Sequence, residues 1–298
     1  MDNRSEVREF LTSRRAKITP QQAGLPAYTG NRRVKGLRRE EVAMLAGVSA
    51  EYYARLERGN LSGVSETVLD SLARALQLDD AERAHLDDLA RTANTTRRPP
   101  RRRTPQPIRP SLQYLLDAMT EAPSFIRNGR LDIVATNRLG RALYDPVFAD
   151  PARPVNLARF QFLSPTAADY MPELDDQVAK SVALLRTEAG RDPYNRELTD
   201  LIGELSTRSE QFRTLWAAHD VRLHHTGVKR FRHPAVGELA LAFEAMPIPT
   251  DPGLTLTALS AEPGTPSHDG LKLLASWAAT LDNTRQPDTP RTSDGHRT

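Results

Sequence analysis

The chain has 298 residues, which fits two domains, and no cysteine, which excludes disulfide staples, zinc–thiolate sites and thiol nucleophiles. Its N-terminus is charged from Asp2 onward and no apolar stretch is long enough to cross a bilayer, so we expect a cytoplasmic protein without a signal peptide or a membrane span. The formal net charge of +3 is unevenly distributed, because residues 1–110 hold 21 Lys and Arg against 14 Asp and Glu and therefore favour a polyanionic partner.

Five helices are predicted in the first 96 residues, because apolar residues recur there at intervals of three and four. Their predicted ranges are 5–16, 38–46, 50–58 and 65–76, with a fifth helix that opens at residue 79 and continues through Leu86 and Leu89. Gly47 and Gly59 end the second and third helices. The loop before the second helix carries the basic residues Arg32, Arg33 and Lys35.

The second and third predicted helices are joined by the turn Gly47-Val48-Ser49, in which Ser49 is a natural N-cap for the third helix. Two short helices with such a turn can place the first across the DNA backbone and the second in the major groove. The alternative is a helical hairpin without a nucleic-acid role. The adjacent basic loop and the arginine-rich segment that follows the fifth helix favour DNA binding.

An arginine- and proline-rich segment divides the chain. Residues 97–110, RRPPRRRTPQPIRP, contain six arginines and five prolines and no acidic residue, a composition that favours an extended linker. We therefore predict a first domain at 1–96, a linker at 97–110, a second domain at 111–282 and a disordered polar tail at 283–298.

The second domain is predicted to mix helices and strands. A helix at 111–119 precedes a hairpin at 124–137, in which Asn128-Gly129 forms the turn and Leu131 belongs to the second strand. A long helical region follows to about residue 221, with an amphipathic run at Leu174, Val178, Val182 and Leu185. Strands at 228–232, 238–245 and 254–259 and a helix at 266–281 complete this α+β domain.

The segment LRREEVAMLAGVSAEYYARLERG resembles the helix-turn-helix of the Xre group, with Ala43, Gly47 and the closing Leu56-Glu57-Arg58-Gly59 at motif positions. Four further stretches, ETVLDSLARAL, GELSTRSEQFRTLWAAHDV, GVKRFRHPAVGELALAFEA and AEPGTPS, extend a resemblance to MmyB-like regulators over about residues 5–280. The resemblance implies a lambda-repressor-like five-helix domain and a PAS-like C-terminal domain that binds a fatty-acid-like ligand. The segment RGNLSGVS departs from many relatives because it holds few basic residues.

The resemblance also implies roles for single residues in the helix-turn-helix. The expected DNA contacts are Arg38, Arg39, Ser49, Ala50, Glu51, Tyr52, Arg55 and Arg58. Of these, Arg39 is expected to meet a phosphate at the start of the crossing helix, and Arg55 can read a guanine in the groove. The family pattern pairs Glu57 with Arg15, and we expect this pair to hold helices together rather than to read DNA.

The expected ligand pocket lies between the sheet and the helices of the second domain, where apolar concave sites commonly form. Its candidate walls are Phe125, Ile133, Trp216, Phe243 and Leu256, and its candidate carboxylate partners are Arg230 and His233. Every wall residue also fits ordinary core packing. The alternative is a dimerisation or protein-interaction module that holds no small ligand.

A cluster of histidines raises the alternative of an enzyme. His219, Asp220, His224, His225 and His233 are metal-ligand types, but no HExxH spacing is present and adjacent histidines point to different sides of a regular element. The patterns GxGxxG, Walker A and GxSxG are also missing. The sequence therefore predicts a non-enzymatic homodimeric transcription regulator that binds double-stranded DNA and holds no metal or cofactor.

Overall fold

The computed structural model describes residues 3–26, 34, 36–94, 108–218 and 226–285. The loop residues Arg32, Arg33 and Lys35, most of the segment at 97–110 and the tail after residue 285 lie outside the described residues. Among the helices that are described, none is both long and apolar enough to cross a membrane.

The N-terminal domain, residues 3–94, is built from helices. They are α1 (Asn3–Lys17), α2 (Arg39–Leu45), α3 (Ala50–Glu57), α4 (Glu66–Ala75) and α5 (Asp80–Asn94). Residues predicted to face inward, such as Phe10, Val42, Leu56, Leu72 and Leu86, have no exposed surface and form one core. The prediction of an all-helical N-terminal domain is therefore confirmed.

The C-terminal domain, residues 108–285, places strands before and after a helical region. It begins with α6 (Pro110–Ala118), β1 (Ser124–Arg127) and β2 (Ile133–Thr136). The helical region contains α7 (Arg138–Leu143), α8 (Asp145–Phe148), α9 (Leu157–Leu163), α10 (Ala167–Tyr170), α11 (Leu174–Arg191), α12 (Arg196–Arg208) and α13 (Glu210–Ala217). The domain ends with β3 (Thr226–His233), β4 (Gly237–Pro247), β5 (Thr255–Ser260) and α14 (Pro266–Arg285).

The strands form one five-stranded antiparallel sheet in the order β2-β1-β5-β4-β3. We call the face that the helical region covers the inner face, and Phe231, Leu241 and Leu259 are buried there in the main core. The opposite face packs Ile126 and Leu256 against α6. The α+β prediction for this domain is confirmed.

Two local predictions need correction. The hairpin does not turn at Asn128-Gly129 alone: the Asn128 side-chain oxygen accepts from the backbone nitrogens of Arg130 and Asp132, both at 3.0 Å, and so holds a longer turn. Leu131 lies in this turn with φ +67° rather than in the second strand. At the other end, α14 continues to Arg285, three residues into the predicted tail.

A buried ion pair joins the two domains. On α11, the Arg186 guanidinium donates from Nη1 to Glu6 Oε1 on α1 at 2.6 Å, and neither side chain is more than 5 % exposed. Arg186 also lies 4.2 Å from the centroid of the Trp216 ring and donates to the Trp216 carbonyl. Gly190 lets α11 approach α5, because a Cβ there would stand 2.5 Å from a carbon of the His85 ring.

The charge of Glu6 depends on these neighbours. Burial alone would raise its pKa, but the His85 ring and the Arg186 guanidinium outweigh burial and lower that pKa from 4.5 to about 2. Glu6 therefore stays ionised in the folded protein at any ordinary pH. The ion pair stabilises the folded state fully above the unfolded-state pKa, and this contribution is lost as the pH falls toward 2.

Glu6→Gln is expected to lower the free energy of unfolding at pH 7 by about 3 kcal/mol, because Arg186 would stay buried beside a neutral amide. The variant is also expected to lose less stability than wild type between about pH 5 and pH 2. Urea unfolding followed by tryptophan fluorescence measures both effects. Glu121→Gln, at an exposed position, is the matched control, and a Glu6→Gln protein with wild-type stability and pH dependence would contradict the account.

Candidate nucleic-acid interface and ligand pocket

Local hydrogen bonds fix the turn between α2 and α3. Gly47 has φ +67°, a left-handed conformation that glycine adopts without strain. The Ser49 hydroxyl accepts from the backbone N–H of Tyr52 at 3.0 Å and so caps α3. At the start of α2, Glu41 Oε2 accepts from the backbone N–H of Arg38 at 2.7 Å. These bonds fix the first turn of each helix of the motif.

The outward side of α3 is open to solvent. Ala50, Glu51 and Arg55 on this helix, and Arg58 directly after it, are exposed, whereas Tyr52 is partly buried. The Arg55 guanidinium lies 4.8 Å from the centroid of the Tyr52 ring, a cation–π contact that orients the arginine along the helix surface. Tyr52 therefore positions a neighbour, a role that the sequence did not predict for it.

Two arginines share one carboxylate beneath this surface. Glu57 is 2 % exposed, and its Oε1 accepts from Arg15 Nε on α1 at 2.6 Å. Its Oε2 accepts from Arg39 Nε on α2, so the predicted Arg15–Glu57 pair is part of a three-residue cluster. The hydrogen bond and the charge of Glu57 raise the pKa of Arg39. Because 58 % of the Arg39 side chain is exposed, this cluster fixes Arg39 at the surface.

The candidate pocket walls do not all lie together. Phe125, Ile133 and Phe243 belong to the core on the inner face of the sheet. Leu256 lies on the opposite face. Trp216 stacks on Phe212 with ring centroids 5.5 Å apart and contacts the Arg186 side chain at the domain contact.

The two candidate carboxylate partners already have protein partners. His233 is buried, with Nε2 3.1 Å from the Ala142 carbonyl and Nδ1 accepting from the Ala235 N–H at 3.2 Å. Burial lowers the pKa of His233, which keeps the ring neutral. Arg230 donates from Nε to Glu173 Oε1 at 3.0 Å. Both side chains can therefore be explained without a ligand.

The structure adds two cavities that the sequence did not predict. A cavity of about 560 Å³ lies between the domains, lined by Ser5, Glu6, Glu9, Ser206, Arg213, Trp216 and Ala217. A second cavity of about 10 Å³ lies beneath β3, lined by Tyr144, Leu157, Gln161, Met171, Gln177, Lys229, Arg230 and Phe231. Lys229, Phe231 and His233 are every second residue of β3, and such residues point to the same face of a strand. This period of two in the sequence indicates that Lys229 lies on the inner face.

The histidine cluster cannot be assembled from the described residues. His219, Asp220, His224 and His225 lie outside them. Within the described part of the chain, no three His, Asp or Glu side chains are close enough together to hold a metal ion.

Comparison with known families gives two matches. A family described as "MmyB-like transcription regulator ligand binding domain" matches residues 108–274, which is more than half of the chain. A family described as "Helix-turn-helix domain" matches residues 9–86. Neither is an enzyme family. No curated protein matches the chain at a significant level.

Ser49→Ala is expected to lower the free energy of unfolding by about 1 kcal/mol, because the Tyr52 N–H at the start of α3 would lose its partner. Thermal unfolding followed by circular dichroism measures the change. Ser62→Ala, in an exposed turn of the same domain, is the control and should be neutral. An equal effect of the two substitutions would show that the cap contributes nothing.

Proposed function

The chain belongs to the family of MmyB-like transcription regulators, and we propose that it senses a small apolar ligand with its C-terminal domain and adjusts its binding to an operator accordingly. The DNA-binding domain is the helix-turn-helix at residues 9–86. The observation that carries the proposal is that α11 contacts both the cavity and the N-terminal domain. Its Gln177 lines the cavity beneath the sheet, and its Arg186 binds Glu6 of the N-terminal domain.

DNA binding is proposed to use the exposed side of α3 in the major groove. Arg55, oriented by Tyr52, can donate two hydrogen bonds to guanine, and Glu51 can accept from cytosine. Ala50 can contact a thymine methyl group. Arg39, fixed by Glu57 at the start of α2, suits a phosphate contact, which positions the protein without reading sequence. Arg38, directly before α2, and Arg58, directly after α3, are exposed and also suit phosphate contacts.

The ligand is proposed to be fatty-acid-like, with the C-terminal domain in a PAS-like fold. Support comes from the resemblance of the whole domain to the family and from the antiparallel sheet covered by helices on its inner face. Phe125, Ile133 and Phe243 remain candidate walls, because they lie on that face. A chain that entered the core would pack against such side chains.

We also propose a homodimer, since helix-turn-helix proteins commonly bind paired half-sites as two-fold dimers. On α6, which packs beside β2, Tyr114 is 71 % exposed and Leu115 is 47 % exposed. Large apolar side chains at the surface are typical of interfaces. This observation favours a second candidate function for the C-terminal domain, that of a dimerisation module without a ligand.

Arg55→Ala is expected to weaken binding to a selected operator by about 1–3 kcal/mol and to relax the preference at one base pair. Arg39→Ala is expected to weaken binding about equally for all sequences and to reduce the slope of log Kd against log salt by about one unit. Fluorescence anisotropy on the selected operator and on its single-base variants measures both. Arg196→Ala, on α12 with its side chain 91 % exposed, is the control. An equal loss of selectivity in the two variants would contradict the assignment.

Lipid-stripped protein is expected to bind decanoate, laurate and palmitate with affinity that rises with chain length, by up to about 0.8 kcal/mol for each buried methylene. Operator affinity is expected to change about fivefold or more when the ligand saturates the protein. Calorimetry and anisotropy on the full chain test the two statements. Absence of chain-length-dependent binding would reject the ligand and favour the dimerisation module, whereas binding without an effect on the operator would reject the switch.

A further inference from the structure

Lys229 lies under the sheet, and among the described residues it has no counter-charge. Lys229 on β3 is partly buried, and its ammonium stands 4.8 Å from the centroid of the Phe243 ring. Burial lowers its pKa from 10.5 to about 8, and the charges of Arg127 on β1 and Lys180 on α11 lower it as well. Burial and both neighbouring cations therefore disfavour the charged form of Lys229.

Two acidic groups lie near these cations, and each pairs with a cation other than Lys229. Lys180 pairs with Asp176 at 2.5 Å, and Glu188, the carboxylate that acts on Arg127, pairs with Arg191 at 2.6 Å. In the described part of the chain, the Lys229 side chain makes neither a hydrogen bond nor an ion pair. A desolvated ammonium without an anion is costly, and such groups are normally paired.

A second donor without a partner lies in the same cavity. Tyr144 is 1 % exposed, and among the described residues its hydroxyl oxygen has no hydrogen-bond partner. Tyr144 and Lys229 both line the cavity of about 10 Å³ beneath β3. Burial raises the pKa of the Tyr144 hydroxyl, so it keeps its proton and can donate. Two side chains that line one cavity therefore offer donors for which the described part of the chain supplies no acceptor.

The rest of the cavity wall indicates what carries that acceptor. Leu157, Met171 and Phe231 are apolar, whereas Gln161 and Gln177 add amide groups at the helical side. The Gln161 oxygen already accepts from Ser181 Oγ at 2.5 Å. A compact inorganic anion would satisfy the donors but would leave the apolar wall without a partner. An anionic head group on an apolar chain satisfies both.

We propose that Lys229 and Tyr144 bind the anionic head group of an amphipathic ligand, with the ammonium and the phenolic hydroxyl donating to it. The assignment rests on the proposed function, because it concerns the head group of the same ligand. In this assignment Lys229 and Tyr144 bind the acidic head group instead of Arg230 and His233. The latter two already have protein partners. A cavity of about 10 Å³ has room for about one water molecule, so the ligand enters only if α11 and the sheet move apart.

A movement of α11 would act directly on the N-terminal domain. Gln177 and Lys180, at the beginning of α11, lie beside the head-group site, and Arg186 lies further along the same helix at the domain contact. Displacement of α11 by the ligand therefore acts on the Glu6–Arg186 pair. One helix, α11, therefore connects the head-group site to α1 of the N-terminal domain.

The experiment compares laurate with dodecanol, which has the same chain length and no charge, on the lipid-stripped full chain by calorimetry. Wild type is expected to bind laurate about tenfold or more tightly than dodecanol, as a charge-assisted hydrogen bond predicts. Lys229→Met should abolish this preference, because it weakens the binding of laurate and leaves the binding of dodecanol unchanged. Tyr144→Phe should reduce the preference several-fold. Lys272→Met, at an exposed lysine of α14, is the matched control.

The outcomes separate this inference from the proposed function. Lys229→Met removes a desolvated cation that has no counter-charge among the described residues, so it is expected to fold with a melting temperature at or above that of wild type. If the variant keeps the wild-type preference for laurate, the head group binds elsewhere and the inference is wrong, while the proposed ligand stands. If wild type binds neither laurate nor dodecanol, the proposed ligand and this site are both rejected.

Discussion

The arrangement of the two domains depends on one buried ion pair, Glu6 with Arg186. Two opposite charges that have left water stabilise each other only in good geometry, and the loss of either partner leaves the other charge buried without that counter-charge. The pair therefore favours one docked arrangement rather than a range of loosely related ones. The Trp216 ring over Arg186 and the close approach at Gly190 add steric constraints to the same contact. A contact of this kind is either made or broken, which is the property that a switch between two states requires.

Helix α11 transmits this constraint. Residues at its beginning lie beside the cavity beneath the sheet, and Arg186 and Gly190 lie toward its end against α1 and α5. A continuous helix of 18 residues moves largely as a unit. A ligand under the sheet would therefore act on the N-terminal domain through α11. Its influence on the operator equals the difference between its affinities for the docked and the displaced arrangements.

Features that depend on short-range patterns could be predicted from the sequence. The apolar spacing gave all five N-terminal helices, and Gly47 with Ser49 gave the turn, because capping and left-handed glycine are decided by neighbours along the chain. The strands at 228–232, 238–245 and 254–259 are also recognisable, and in the first two the alternation reflects strands with one buried face. Even the Arg15–Glu57 contact could be anticipated, although only through resemblance to a known family.

The remaining features depend on contacts between distant parts of the chain. No pattern in the sequence pairs Glu6 with Arg186, because the two residues are brought together only when both domains have folded. The apolar character of Leu256 suits a pocket wall, but the strand register turns this side chain to the opposite face of the sheet. The residue type of His233 suits a carboxylate partner, but the Ala142 carbonyl and the Ala235 N–H occupy its ring nitrogens. Lys229 was overlooked because a single lysine in a strand is ordinarily solvated.

The central claim is that the ligand site and the DNA-binding surface are energetically coupled through the domain contact. Coupling of this kind is reciprocal, so operator DNA must change the affinity for the ligand by the same factor as the ligand changes the affinity for DNA. The most direct test is the Kd of laurate for the lipid-stripped full chain, measured by calorimetry with and without a saturating operator duplex. The account predicts that the two Kd values differ about fivefold or more. Identical values would show that the two sites are independent and would contradict it.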